Sequence, residues 1–127
     1  MISFRTDKEK NILFVNIIGI TPKEKLAEGM AEFSQKCNEL REHFTIINDM
    51  TLCKMNSEHD FELMCKLTQT LLQRFVIGKI IRIIGTNEEN MKKLSLEDKK
   101  LGLKNIHYVS TRKHALEEMY KLPHSNL

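Results

Sequence analysis

The chain has no tryptophan, only two prolines and only five glycines. The glycines Gly19, Gly29, Gly78, Gly85 and Gly102 never cluster. A phosphate loop or a dinucleotide fingerprint needs glycines close together, so that backbone can approach phosphate, and neither can be written here. With so little proline and glycine the chain also has no linker, repeat or low-complexity stretch. Cysteine is scarce and odd in number: Cys37, Cys53 and Cys65. That count suits a reducing compartment and gives no disulfide framework. The spacing of Cys53, His59 and Cys65 is six and six, which matches no zinc pattern and leaves these residues a structural reading.

Charge of one sign is lacking as well. Twenty basic residues face 17 acidic ones, for a formal net charge of +3. No run of five like charges occurs, and the lysines between Met91 and Lys100 are interrupted by Glu97 and Asp98. Neither nucleic-acid binding nor membrane insertion is expected from such a balance. Apolar runs fall well short of the roughly 18 residues of a membrane span. The first ten residues are polar and charged and carry no signal-peptide pattern, so a cytoplasmic chain is expected.

What is present is a set of short apolar segments on a chain of 127 residues, the length of one domain. Ile2 to Arg5 and Ile12 to Gly19 read as two strands joined by a polar turn. Thr21, Pro22 and Glu24 form a helix start, followed by a stripe of Leu26, Met30, Phe33, Cys37 and Leu40. Phe44 to Asp49 is a strand. A loop follows, then a helix capped at Ser57 with a stripe of Phe61, Met64, Cys65, Leu71, Leu72 and Phe75. Gly78 ends that helix or sits in the turn after it. Lys79 to Gly85 is a strand with Arg82 among isoleucines. Asn87 caps a more weakly patterned helix through Met91, Leu94 and Leu101, which Gly102 stops. Asn105 to Ser110 is the last strand, and Thr111 to Leu122 the last helix, halted by Pro123.

The order ββαβαβαβα predicts an α/β domain spanning residues 1–127. It has a five-stranded, mostly parallel sheet, an antiparallel first strand and four helices. Alternation puts Leu13, Val15 and Ile17 on one strand face, purely apolar and expected under helices. The other face carries Ile12, Phe14, Asn16 and Ile18. Polar residues on a mostly apolar sheet suggest partial cover, so Phe14, Asn16 and Arg82 are the candidate face for a partner or ligand. The alternative is that one or two helices cover it and the polar groups reach the rim.

Catalytic constellations are hard to write. Asp49 ends a strand, where α/β folds place ligand groups, but an aspartate there is commonly a turn former. Cys53 lies in a loop, and no histidine can be set beside it from sequence. An enzyme using Asp49, Cys53 or His59 has no legible nucleophile–base pair. Ser57 is an N-cap by pattern. A phosphate there would meet free N–H groups, yet Glu58 and Asp60 would repel it.

Three segments, Ile12 to Gly19 with Thr21-Pro22, Phe44 to Met50, and Lys79 to Gly85, make the chain resemble the STAS superfamily over nearly its whole length. This is the fold of bacterial anti-sigma-factor antagonists and of sulfate-transporter cytoplasmic domains. The chain looks closest to small stand-alone bacterial members. The resemblance implies a non-enzymatic interaction or regulatory module without cofactor or metal, whose partner is another protein or a second copy in a homodimer. It also implies Ser57 as the counterpart of the phosphorylated switch serine. The stretch here is Met55-Asn56-Ser57-Glu58, without the Asp, second hydroxyl and Gly of the family motif. The related lipid-transfer fold offers a second expectation, a carrier of a small apolar ligand, for which seven methionines supply adaptable surface.

Overall fold

The computed structural model describes residues 2–19, 23–54, 58–86 and 88–120. The caps expected at Thr21, Pro22, Ser57 and Asn87, and the stop at Pro123, lie outside the described residues. Five strands and four helices alternate: β1 Ile2–Asp7, β2 Ile12–Ile17, α1 Lys23–Asn38, β3 Phe44–Asp49, α2 Glu58–Arg74, β4 Ile77–Ile83, α3 Glu88–Lys100, β5 Ile106–Val109 and α4 Arg112–Met119. The sheet runs in the order β1-β2-β3-β4-β5. β1 is antiparallel to β2, and the remaining pairs are parallel. The fold is the α/β architecture expected from the element order.

Local chemistry sets the element ends. The β1–β2 turn closes at Asn11, with φ 60°, a conformation Asn tolerates better than most residues. Its side chain also clasps the loop before β3. Arg41 N–H donates to Asn11 Oδ1 at 2.9 Å, and Asn11 Nδ2 donates to the Arg41 carbonyl at 3.2 Å. Gly102, with φ 69°, ends α3 as expected. Its N–H bonds the Lys99 carbonyl, and Leu103 N–H bonds the Asp98 carbonyl, the paired bonds of a Schellman cap. Thr111 caps α4, its hydroxyl accepting from His114 N–H at 3.1 Å.

The sequential strand order decides where the helices go. Each parallel crossover steps to the next strand in the same direction. A right-handed connection then puts every crossover helix on the same face. The core clusters agree. Phe33 and Cys37 of α1 and Leu71 of α2 pack with Leu13, Val15, Ile17, Ile46 and Ile80. Cys65 of α2 and Leu94 of α3 pack with Met50 and Ile84. The expectation that Leu13, Val15 and Ile17 lie under helices is met.

The opposite face carries Ile12, Ile47, Ile81 and Ile83, against which Ala115 and Met119 of α4 pack. α4 follows the last strand and is no crossover, so nothing confines it to the first face. It has eight residues, and Ala115 is its buried one.

Gly78 is placed differently from the expectation. It lies inside β4, which begins at Ile77, two residues before the expected start. Phe44 pairs with Ile77 and Thr45 with Lys79, so Gly78 is an extra residue in the ladder. A Cβ there would stand 2.6 Å from the His43 carbonyl oxygen. We expect Gly78→Ala to destabilise the fold by about 1–3 kcal/mol through this overpacking against backbone. Gly29→Ala is the control. Its Cβ would meet Ile2 Cδ1 at 3.7 Å, an ordinary contact, inside a helix. It should be neutral or stabilising by up to about 1 kcal/mol. Urea midpoints of the two variants check both.

Candidate functional site

The half-covered face holds a groove between the β1–β2 hairpin and α4. Phe14, Ile47 and Ile83 contribute apolar lining, Arg5 and Asn16 come from the hairpin strands, and Leu116 comes from α4. Its volume is about 420 Å³. The register explains the composition. Arg5 pairs with Phe14 and Phe14 with Ile47, while Ser3 pairs with Asn16 and Asn16 with Asp49, so all of these share one face. Arg5 stacks on the Phe14 ring with its guanidinium carbon 4.1 Å from the centroid, a contact worth about 0.5–1 kcal/mol at an exposed position. Leu116 is 46% exposed on the rim. Phe14 and Asn16, two of the residues expected on a partly covered face, are therefore on it.

At the groove's mouth Asp49, the last residue of β3, meets Arg112, the first of α4. Arg112 Nε lies 2.9 Å from Asp49 Oδ2, and Thr51 N–H donates to Asp49 Oδ1 at 3.0 Å. Burial raises the Asp49 pKa, but the bonds from Thr51 and Arg112 outweigh it and hold the carboxyl below its ordinary value. Asp49 is thus a turn former, as expected, and also the anchor of α4. The loop after β3 is tied to the end of β2 by the Gly19–Cys53 bridge. There Gly19 N–H bonds the Leu52 carbonyl and Lys54 N–H bonds the Gly19 carbonyl, each at 2.8 Å.

Arg82 corrects the expectation. It lies on the opposite face from Phe14 and Asn16, because Val15 pairs with Asn48 and Asn48 with Arg82. Three helices cover that face, and Arg82 is 1% exposed. Its Nη2 lies 3.3 Å from Asp98 Oδ1 of α3 and 3.4 Å from Thr68 Oγ1 of α2. Tyr108 of β5 donates its hydroxyl to Asp98 Oδ2. Arg82 therefore links two helices to the sheet and belongs to the core, not to a docking face. Burial is the largest influence on Asp98 and raises its pKa, against the lowering by Arg82. Burial also pushes the Cys37 and Cys65 thiols up to about 12, which makes them inert core residues.

Ser57 lies outside the described residues, as does the side chain of His59. Cys53 is half-buried and packs against two apolar clusters, and none of the three cysteines is in a disulfide. Among the described residues no group of three or more His, Cys, Asp and Glu is arranged to hold a metal ion. Nor is any helix there long and apolar enough to cross a membrane.

Sequence reasoning missed Asn48, Asp98 and Tyr108. Asp98 left a signal. It stands four residues after Leu94 and three before Leu101, inside the apolar stripe of α3, where only a carboxylate with a buried partner belongs.

No family model matches the chain, and no curated protein sequence matches it. Among solved structures it is similar to the anti-sigma factor antagonist SpoIIAA in its unphosphorylated form. The TM-score is 0.63 at 13% identity, over 96% of this chain and 100% of that one. The fold is STAS-like.

The two aspartates respond to pH with opposite sign. Asp49, held low, contributes stability that is present above its unfolded pKa and lost as pH falls through the folded one. Asp98, held high, binds its proton more tightly folded than unfolded, so its contribution falls as pH rises through that interval. Asp98→Ala leaves Arg82 charged and unpaired in the core and should cost about 3–5 kcal/mol. The double variant Arg82→Met, Asp98→Leu should cost much less, because no buried charge remains. Urea denaturation at neutral pH ranks the two.

Proposed function

We propose that the chain is a non-enzymatic interaction module that docks a protein surface on its half-open sheet face, a second copy of itself being the first candidate. The observation that carries this reading is the groove beside α4. It is an apolar floor of strand residues left open by an eight-residue helix and rimmed by Arg5, Asn16 and Leu116. Apolar surface rimmed by polar groups marks protein-interaction sites and ligand-binding grooves. Arg5, stacked on Phe14 here, is of a type enriched among the residues that carry binding energy at interfaces, and aromatic side chains such as Phe14 are enriched there as well.

The fold likeness supports the same direction by analogy, since the similar protein bears a name that describes opposition to another protein factor. A cytoplasmic, bacterial setting belongs to this reading and rests on the cysteine usage and on the resemblance. Ser57 remains the candidate position for a phosphorylation switch on the same analogy. Its neighbours Glu58 and Asp60 weigh against it, since each would repel a phosphate.

A second reading is a carrier of a small apolar ligand. It is favoured by the groove volume of about 420 Å³, within the range of about 300–1,000 Å³ typical of small-molecule sites.

Sedimentation velocity across the micromolar range tests the first reading. We expect self-association above the 14.9 kDa of one chain. Phe14→Glu should weaken it by at least about 30-fold, the ~2 kcal/mol of an interface hot spot, with an unchanged far-UV circular dichroism spectrum. A mass of one chain up to high micromolar concentration would remove the homodimer. Native mass spectrometry of the purified protein decides the second reading: an apolar molecule that co-purifies with wild type and is lost in Phe14→Glu supports it, and a bare chain counts against it.

A further inference from the structure

The groove beside α4 combines an apolar floor with an imbalance of charge on its walls. Among the described residues that line it, Arg5 and Arg112 are cationic and Asp49 is the one carboxylate, so positive charge is in excess. The excess belongs to Arg5. Asp49 is committed to the other wall, where Arg112 Nε lies 2.9 Å from its Oδ2 and the Thr51 N–H donates to its Oδ1 at 3.0 Å. Asp7 shares the face of Arg5 two residues further along β1, but it lies outside the groove lining. Its Oδ1 accepts from the Lys10 N–H in the hairpin turn at 3.0 Å.

Arg5 is exposed, so a molecule in solution can reach it. Its guanidinium carbon lies 4.1 Å from the centroid of the Phe14 ring, and Phe14 belongs to the floor. That contact ties the cation to the apolar surface, so charge and floor are offered side by side to one molecule. Register continues the floor from Phe14 to Ile47 on the next strand, and Leu116 stands on the wall made by α4.

The chemistry of the occupant follows from this pairing. A small hydrated anion would lose water against Phe14 and Ile47 and gain no hydrogen bond from them. A cationic amphiphile would bring like charge to Arg5. A neutral apolar molecule would cover the floor and leave the cation unused. A carboxylate with an apolar body matches both parts. Its oxygens take the N–H edge of the Arg5 guanidinium, whose planar fork fits a carboxylate, and its body lies on Phe14 and Ile47 toward Leu116. The volume of about 420 Å³ falls in the range of about 300–1,000 Å³ of small-molecule sites. Resting on the carrier reading above, we propose that the groove selects a small apolar monocarboxylate and that Arg5 is the residue that reads its charge.

Amide chemical shifts of the wild-type chain, titrated at neutral pH with octanoate, octanol and octylammonium, test this. We expect octanoate to shift the amides of Arg5, Phe14, Asn16 and Leu116 saturably. It should bind about 10-fold more tightly than octanol, the scale of one charge-assisted hydrogen bond. Octylammonium should bind no better than octanol. In Arg5→Gln the preference for octanoate over octanol should fall to about twofold or less, because Gln keeps hydrogen-bonding groups without the charge. Equal binding of octanoate and octanol in the wild-type groove would overturn the charge selection and leave the carrier reading standing. Octylammonium binding as tightly as octanoate would do the same. Saturable groove shifts from none of the three would overturn both. A folded Arg5→Gln that keeps the full preference would also overturn the proposal, and the wild-type ranking decides it if that variant does not fold.

Discussion

The handedness of the crossovers governs this molecule. Strands β2, β3, β4 and β5 lie side by side in chain order, so each connection makes the same move across the sheet. Right-handed connections then stack α1, α2 and α3 on one face. No choice of side chains can put one of them on the other side without reversing a crossover. The reverse face is left to α4, which is half the length of α1. The asymmetry of the protein, a deep core on one side and a groove on the other, is thus a topological consequence before it is a compositional one.

That asymmetry gives polar residues on the two faces of the sheet different fates. Asn16 stands where cover is thin and reaches the groove, while Asn48 and Arg82 stand where three helices close over them. A buried ion pair is poor evidence of stability, since burial of both charges offsets their attraction. Its role here follows from α3, which carries little apolar surface to position itself: Leu94 is buried and Met91 and Leu101 are half-buried. The Asp98 side chain meets Arg82 of β4 and Tyr108 of β5, and its backbone carbonyl accepts within the cap of the same helix. One residue therefore fixes the angular and axial position of α3 over two strands.

Much of this was legible in the residues. Thr111 and Gly102 mark helix ends by chemistry that acts locally, so the structure returns them where they were read. The alternation in β2 separated Leu13, Val15 and Ile17 from Phe14 and Asn16 for the same reason. Arg82 was assigned to the wrong face because alternation inside a strand says which residues share a side, not which side that is. Only the ladder settles it, through Val15, Asn48 and Arg82 in register. Gly78 shows how sensitive that register is. An extra residue in β4 is absorbed beside Phe44, and without it every later side chain of the strand would change faces. A glycine that looks like a helix stop was in fact the residue that lets β4 pass the His43 carbonyl.

The groove finally depends on how α4 is held, and apolar area is the lesser part of the answer. Ala115 is its buried residue, and Met119 packs beside it. The remaining attachments are polar and sit at the two ends of the helix. At the first, Arg112 meets Asp49. At the last, Glu118 meets His107 Nδ1 at 3.2 Å, and its backbone carbonyl accepts from Lys79 Nζ at 2.8 Å. Burial of one alanine and part of a methionine contributes only a few kcal/mol at about 25 cal/mol per Å². An exposed arginine pair such as Arg112–Asp49 adds about 1 kcal/mol at most. The wall of the groove formed by α4 is accordingly its least stable part, and elements that move on binding are drawn from that end of the stability range. Leu116 of this weakly held helix lines the same groove as Phe14 and Asn16, so the shape of the groove depends on how α4 is seated.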